Sequence, residues 1–362
     1  MGLSLLRRTV SIRFSYRIVI IETKEQPRSA MTIAVSVIAF VVVIYGMQSA
    51  RIILVPLLVA VFVAILCVPL MKFLERQRIP TGLAVTMVIV LIIGAMILAG
   101  SFVGGSIGAF NERLPFYQER LNVRFTDIAA LFGQEITVGR LIEGIQPGAA
   151  MGFVANLLNS LQGLLANFFL IMFTVIFILL ESSTLPAKAQ LVLRASRSDS
   201  GYFGRFTKSL QRYLAIKTLT SFSTGLSVWL LTQAFGLDFP ILWGLLAFLL
   251  NYVPSIGSLI AAIPAVFIAL IQLSLLQALM ITLGYFIINI VIGGVIEPRV
   301  MGRSLGLSTL IVFLSLVFWG WVFGPVGMIL SVPLTMTAKI ALESSEKTAL
   351  IAALLSAPER PA

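Results

Sequence analysis

The chain has no histidine and one cysteine, Cys67. Without histidine it lacks the commonest general base near neutral pH and the commonest metal ligand. With a single thiol no disulfide forms within the chain, and the framework of a small secreted domain is excluded. Charge is scarce as well, at 11% of residues against roughly 25% in soluble domains. No P-loop and no cluster of metal ligands or paired carboxylates stands out, and no nucleotide-binding domain. No enzymatic activity, cofactor or metal is expected.

Apolar side chains fill the space, at 59% of 362 residues. The mean hydropathy is +1.03. A water-soluble fold of this length has no core large enough to hide them. Apolar runs fall near 31–49, 52–70, 82–104, 153–180, 218–235, 239–250, 256–273, 277–296, 305–322 and 326–340. Several approach the ~20 residues that cross a hydrocarbon slab of about 30 Å. Backbone in lipid must pair its own hydrogen bonds, and the runs do not alternate as barrel strands would. The expected fold is all-α, a polytopic membrane protein.

The net charge of +11 is explained by where the cations lie. Residues 1–30 hold Arg7, Arg8, Arg13, Arg17, Lys24 and Arg28. The next connection has only Arg51, and the one after, MKFLERQRIP, has Lys72, Arg76 and Arg78. Residues 105–150 balance four Arg against five acids, and 181–217 carry seven cations from Lys188 to Lys217. Retention of Lys and Arg in the cytoplasm makes that alternation a topology. It places a basic segment 1–30 inside, helices of 31–104 in the membrane and an amphipathic region 105–150 outside. A membrane core of 151–345 follows, interrupted by a basic cytoplasmic connection at 181–213, and 346–362 form a cytoplasmic tail. Anionic lipid is the partner of the excess charge, and no nucleic acid is expected. The first apolar run is too long for a signal peptide. Translation from Met1 and from Met31 both fit.

In the outer region Leu114, Tyr117, Leu121, Phe125, Ile128 and Phe132 recur at steps of three and four, one face of a helix. Two uses fit it: covering the outer mouth of its own subunit, or contact between copies in a homo-oligomer. Just before it Gly100, Gly104 and Gly108 share a face that permits close helix packing.

The C-terminal half is broken in two places. Residues 241–250 are ten apolar residues, about 15 Å of helix, and reach only halfway across a bilayer. NYVPSIGS follows, Asn251 to Ser258, where Pro254 removes a donor and Gly257 permits unusual backbone. The flanks around Asp238 and LSLLQ are both poor in Lys and Arg, which favours a re-entrant hairpin over two full spans. Irregular backbone at that depth lines a watery cavity or is buried by protein. Asn251, Pro254, Ser255, Gly257 and Ser258 are the candidate solute pathway. A kinked span satisfied by a neighbouring helix is the alternative. Gly257→Val is expected to stop flux while sparing the fold.

The second break is FGPVG, with Gly324, Pro325 and Gly327, and Pro333 is expected to bend what remains. Between the two breaks Pro298 is expected to end the 277–296 helix in a turn built from Glu297, Arg299, Gly302 and Arg303. Glu297 there is expected to pair with Arg299 or Arg303, fixing the turn or serving in gating or coupling. Lys217, at the start of a span, is expected to snorkel to the inner surface.

NYVPSIGS, EPRVMGRSLGLS from Glu297 and FWGWVFGPVGMILSVPLT from Phe318 resemble the autoinducer-2 exporter family of bacterial inner-membrane proteins. YLAIKT at Tyr213 and WGLLAF at Trp243 add to the likeness, which is strongest over 205–345; Thr309 departs from the proline many members carry. The resemblance implies about eight membrane segments and transport of a small polar solute, autoinducer-2 before others. It also implies an alternative, sodium(lithium)/proton antiport. Glu181, Asp238 and Glu297 all sit at span edges, which weighs against antiport.

Overall fold

The structure is a computed structural model describing residues 30–131, 167–181, 200–254, 256–301, 307–343, 348 and 354–355. Among them the regular elements are all helical. In chain order they are α1 (Ala30–Ser49), α2 (Arg51–Arg76), α3 (Thr81–Leu131), α4 (Phe168–Glu181) and α5 (Ser200–Ala234). Then come α6 (Pro240–Leu250), α7 (Gly257–Gln272), α8 (Leu275–Met301), α9 (Thr309–Phe323), α10 (Pro325–Ile329) and α11 (Ser331–Glu343).

Among the described residues four stretches are long and apolar enough to cross a membrane: Arg51–Arg76, Thr81–Phe110, Lys208–Ala234 and Leu275–Met301. The helices are apolar on their outer faces too. Phe169, Phe173, Phe177, Leu275, Leu276, Phe286 and Trp321 are all exposed. A large exposed apolar surface on a folded chain belongs in lipid. The helix α1 is predominantly apolar, with Val35, Val37, Ile38 and Phe40–Val43 exposed.

Small residues set the helix packing. In α2, Ala60 and Ala64 are fully buried one turn apart, and Val85 and Val88 of α3 and Val175 and Leu179 of α4 close over them. Between α5 and α6 the backbones touch. A Cβ at Gly225 would lie 2.7 Å from the Gly244 carbonyl oxygen, and one at Gly244 would lie 2.8 Å from that of Gly225. By contrast, Gly104 and Gly108 have no atom within 4 Å of a built Cβ. The close packing expected of the Gly100, Gly104 and Gly108 face is therefore not made at those two positions among the described residues, because α3 meets its neighbours through Val103 and Phe110.

The boundary drawn at 104/105 is not a break. The helix α3 runs 51 residues through Pro115, about 75 Å long, so it extends well past any bilayer it enters. Its C-terminal part packs on its own chain. Tyr117 and Leu121 are buried against Leu242, Trp243, Ala265 and Ile268, the core of the α6–α7 hairpin. Phe132 and the rest of 105–150 beyond Leu131, and the connection 182–199, lie outside the described residues.

One proline acts otherwise than expected. Pro298 does not end α8. Residues Asn289–Ile296 form a π-helical stretch, with the Glu297 amide bonding Ile292 O, and the helix then continues to Met301. The wider turn, with Gly293 and Gly294 on it, makes room for a ring that would otherwise strike the preceding carbonyls. Pro333 lies in the first turn of α11, three residues beyond Leu330, where α10 and α11 are interrupted, and its missing N–H costs no bond there.

Candidate functional site

Residues 216–224 of α5 read IKTLTSFST, an unusually polar stretch in a spanning helix. Hydroxyls there bond backwards to carbonyls: Thr218 to Leu214 O at 2.8 Å, Ser223 to Leu219 O at 3.0 Å and Thr224 to Thr220 O at 2.9 Å. That pairing lets Ser and Thr sit inside a helix without water. Lys217, Thr220, Ser221 and Thr224 fall at three- and four-residue steps and are all buried.

Opposite this face lies the first break. After α6 the chain turns through Asn251, Tyr252, Val253 and Pro254 and re-enters helix at Gly257. The backbone amides are kept by the turn itself, Val253 N to Leu250 O at 2.8 Å and Gly257 N to Val253 O at 3.3 Å. Asn251, buried, donates its side-chain amide to Ser221 Oγ at 3.0 Å. Tyr252 donates to Thr218 Oγ1 at 2.8 Å and meets Phe62 and Phe248 edge-on. On the far side Ser258 donates to Asn289 Oδ1 of α8 at 2.6 Å. Pro254 is half-buried, and Ser255 lies outside the described residues.

Glu297 sits where the π-helical stretch ends. It accepts from Lys217 Nζ at 2.6 Å and from Thr220 Oγ1 at 3.3 Å. The side chains of Lys217 and Glu297 are 4% and 15% exposed. The expectation for Lys217 is corrected, and of the two cations expected beside Glu297 the described one is not used. Lys217 does not snorkel, and Glu297 does not pair with Arg299, which is exposed and two residues away on the same helix, where side chains do not face one another. Gly302 and Arg303 lie outside the described residues. What forms is a continuous polar seam: α5, the 251–258 break and the π-helical part of α8, sealed by one buried ion pair.

The second break repeats the first. Gly257 lies so close to the Leu250 carbonyl that a Cβ there would overlap it; Gly327 stands in the same relation to the Trp319 carbonyl. Each glycine thus sits against the carbonyl of the helix that entered its break. At the second, Gly324 has φ +70°, a conformation that favours glycine, Pro325 starts α10 and Trp319 donates to Thr335 Oγ1 at 2.9 Å.

The AI-2E family transporter profile matches residues 33–347. The chain belongs to the AI-2E transporter family. It is 41% identical over 319 residues to the AI-2 transport protein TqsA of Escherichia coli, covering 87% of this chain and 93% of that one. A putative transport protein of Haemophilus influenzae is 40% identical over 326 residues, covering 88% and 94%. The putative transport protein YrrI of Bacillus subtilis is 25% identical over 308 residues, covering 80% and 86%.

An AI-2E transporter is a membrane protein and not an enzyme. The letters GGSIG, Gly104–Gly108, have the spacing of a nucleophile elbow, but they lie inside α3, with no strand before them and no histidine in the chain.

At the other end of α5 the transporter has a second network. Asp238 accepts from Arg113 at 2.5 Å and from the Tyr117 hydroxyl at 2.7 Å. Its amide donates to Gln272 Oε1 and its carbonyl accepts from Trp243 Nε1. The loop between α5 and α6 is thereby tied to α3 and to the end of α7. Arg113 is 55% exposed, so Arg113→Ala should cost under about 1 kcal/mol, and less in high salt. Asp238→Ala strands a buried phenol and should cost about 1–3 kcal/mol. Thermal melting at two salt concentrations distinguishes them. Burial, then the bond to Asp238, raises the Tyr117 pKa well above its ordinary value. Its contribution to stability is full below the unfolded value near 10 and is lost only as pH rises through the higher folded value.

Lys217, Thr218, Thr220, Ser221, Tyr252 and Asn289 were not singled out for this site from sequence. The signal available was IKTLTSFST, whose buried polar face is readable at helical steps but has no visible partner.

Proposed function

We propose that this transporter carries a small, hydroxyl-rich solute across a bacterial inner membrane, with autoinducer-2 the first candidate, and that the 251–258 break lines its path as a re-entrant hairpin. The observation that carries this is the seam. Asn251, Ser221, Thr218, Ser258 and Asn289 offer hydroxyls and amides inside an otherwise apolar bundle. A hydroxylated solute leaving water needs such partners, because each unpaired hydroxyl costs about 1–3 kcal/mol. The similarity to a protein named for AI-2 transport supports the same solute. By the distribution of Lys and Arg, both termini are cytoplasmic and the Asp238 network faces out.

Sodium/proton antiport is a second reading, favoured by the Lys217–Glu297 pair. Glu297 is a largely buried carboxylate paired across two spanning helices, although it stays four residues from the end of its own span. Liposomes containing the purified protein and loaded with autoinducer-2 test both. Protein-dependent release that ignores sodium supports solute transport. No release, with sodium-dependent change of luminal pH, supports antiport.

A further inference from the structure

Tyr285 lies in α8 four residues before Asn289 and twelve before Glu297, so with Gly293 the four occupy one face of the helix at four-residue steps. Two of them hold partners from elsewhere in the seam: Asn289 takes Ser258, and Glu297 takes Lys217 and Thr220. Tyr285 takes none. The residue is 6% exposed and packs in the core that contains Val228, Ala261, Ala265 and Ile281. Among the described residues its hydroxyl is the one buried side-chain polar atom without a hydrogen bond.

A buried hydroxyl without a partner destabilises the fold, and such groups in native proteins call for a reason. Packing supplies none, since phenylalanine has the same ring without the penalty. Its neighbours are the apolar side chains of that core. The remaining use of an orphan donor at the end of a polar face is a visitor that brings an acceptor.

We infer that the Tyr285 hydroxyl is a specificity contact for a small, uncharged, hydroxyl-bearing solute. The path then runs along the α8 face from Glu297, past the Ser258–Asn289 bond, to Tyr285 on the side toward Asp238. The inference rests on the solute-transport reading above and extends its site to a residue outside the 251–258 break.

Tyr285→Phe in the full-length protein tests it, with autoinducer-2 as probe. Binding to the purified protein is measured beside release from liposomes and thermal melting in detergent. The variant should bind about tenfold more weakly and need a correspondingly higher concentration for half-maximal release, with the maximal rate kept. Its melting temperature should be unchanged or higher, because an unpaired group has been removed. A lower melting temperature would show that the hydroxyl is bonded within the protein and would overturn the inference. Equal affinity in variant and wild type would overturn it too, leaving the solute assignment intact. If wild type itself neither binds nor releases autoinducer-2, the solute assignment fails and takes this inference with it.

Discussion

Lys217→Met should be among the most damaging substitutions in the molecule. It leaves the Glu297 carboxylate in a site where, among the described residues, Thr220 remains to bond it. Breaking a buried pair from one side costs roughly 3–5 kcal/mol, since an uncompensated charge is left out of water. The single variant should therefore melt far below wild type and release no solute. The double variant Lys217→Met/Glu297→Leu separates the two functions of the pair. Replacing both charges by apolar groups of similar size is often neutral for stability. Melting should recover in the double variant. If the charges take part in transport, flux should stay lost. Recovery of flux together with melting would make the pair a structural tie between α5 and α8 and would remove the main support for antiport.

Gly257→Ala should prevent the α6–α7 hairpin from closing, and the cause is steric. The Leu250 carbonyl oxygen occupies the space a methyl would need, and Val253 Cβ would be 3.0 Å away. The obstacle is backbone, which has no rotamer to yield. A cost of about 3 kcal/mol or more is expected, at the upper end of overpacking effects. This revises the expectation that Gly257→Val would spare the fold. Gly327→Ala should behave alike, because the Trp319 carbonyl stands in the same place at the second break. Gly104→Ala and Gly108→Ala are the controls. Both positions are open and helical, so alanine should be neutral or stabilising by up to about 1 kcal/mol. Melting temperatures and the yield of monodisperse protein in detergent read all four. A melting temperature for Gly257→Ala equal to wild type would mean that the hairpin is not packed as described. Loss of transport in stable Gly104→Ala or Gly108→Ala would point instead to a contact this face makes outside the single chain.

The sequence by itself determined the class of molecule. Fifty-nine per cent apolar residues and long unalternating runs leave helices in lipid as the solution, and among the described residues helices cover the runs. It also marked both breaks, because proline and glycine act locally: Pro254 and Gly257 end one helix and start another, and Gly324 and Pro325 do the same. The motifs around them, together with 205–345 as a whole, were enough to resemble the family the chain belongs to.

Only the tertiary structure decided what the polar residues do. Lys217 and Glu297 are eighty residues apart, and nothing local distinguishes a snorkelling lysine from one that meets a carboxylate on another helix. Arg299 was the nearer cation in sequence, but helix geometry turns it away. The glycines divide in the same way. Gly104 and Gly108 have the spacing of a packing face and meet open space, whereas Gly225 and Gly244, nineteen residues apart in different helices, hold two backbones in contact. Spacing along one chain places a residue on a face. What that face meets depends on which helix the fold brings against it, and through-space contacts of that kind carry no signature in a single sequence.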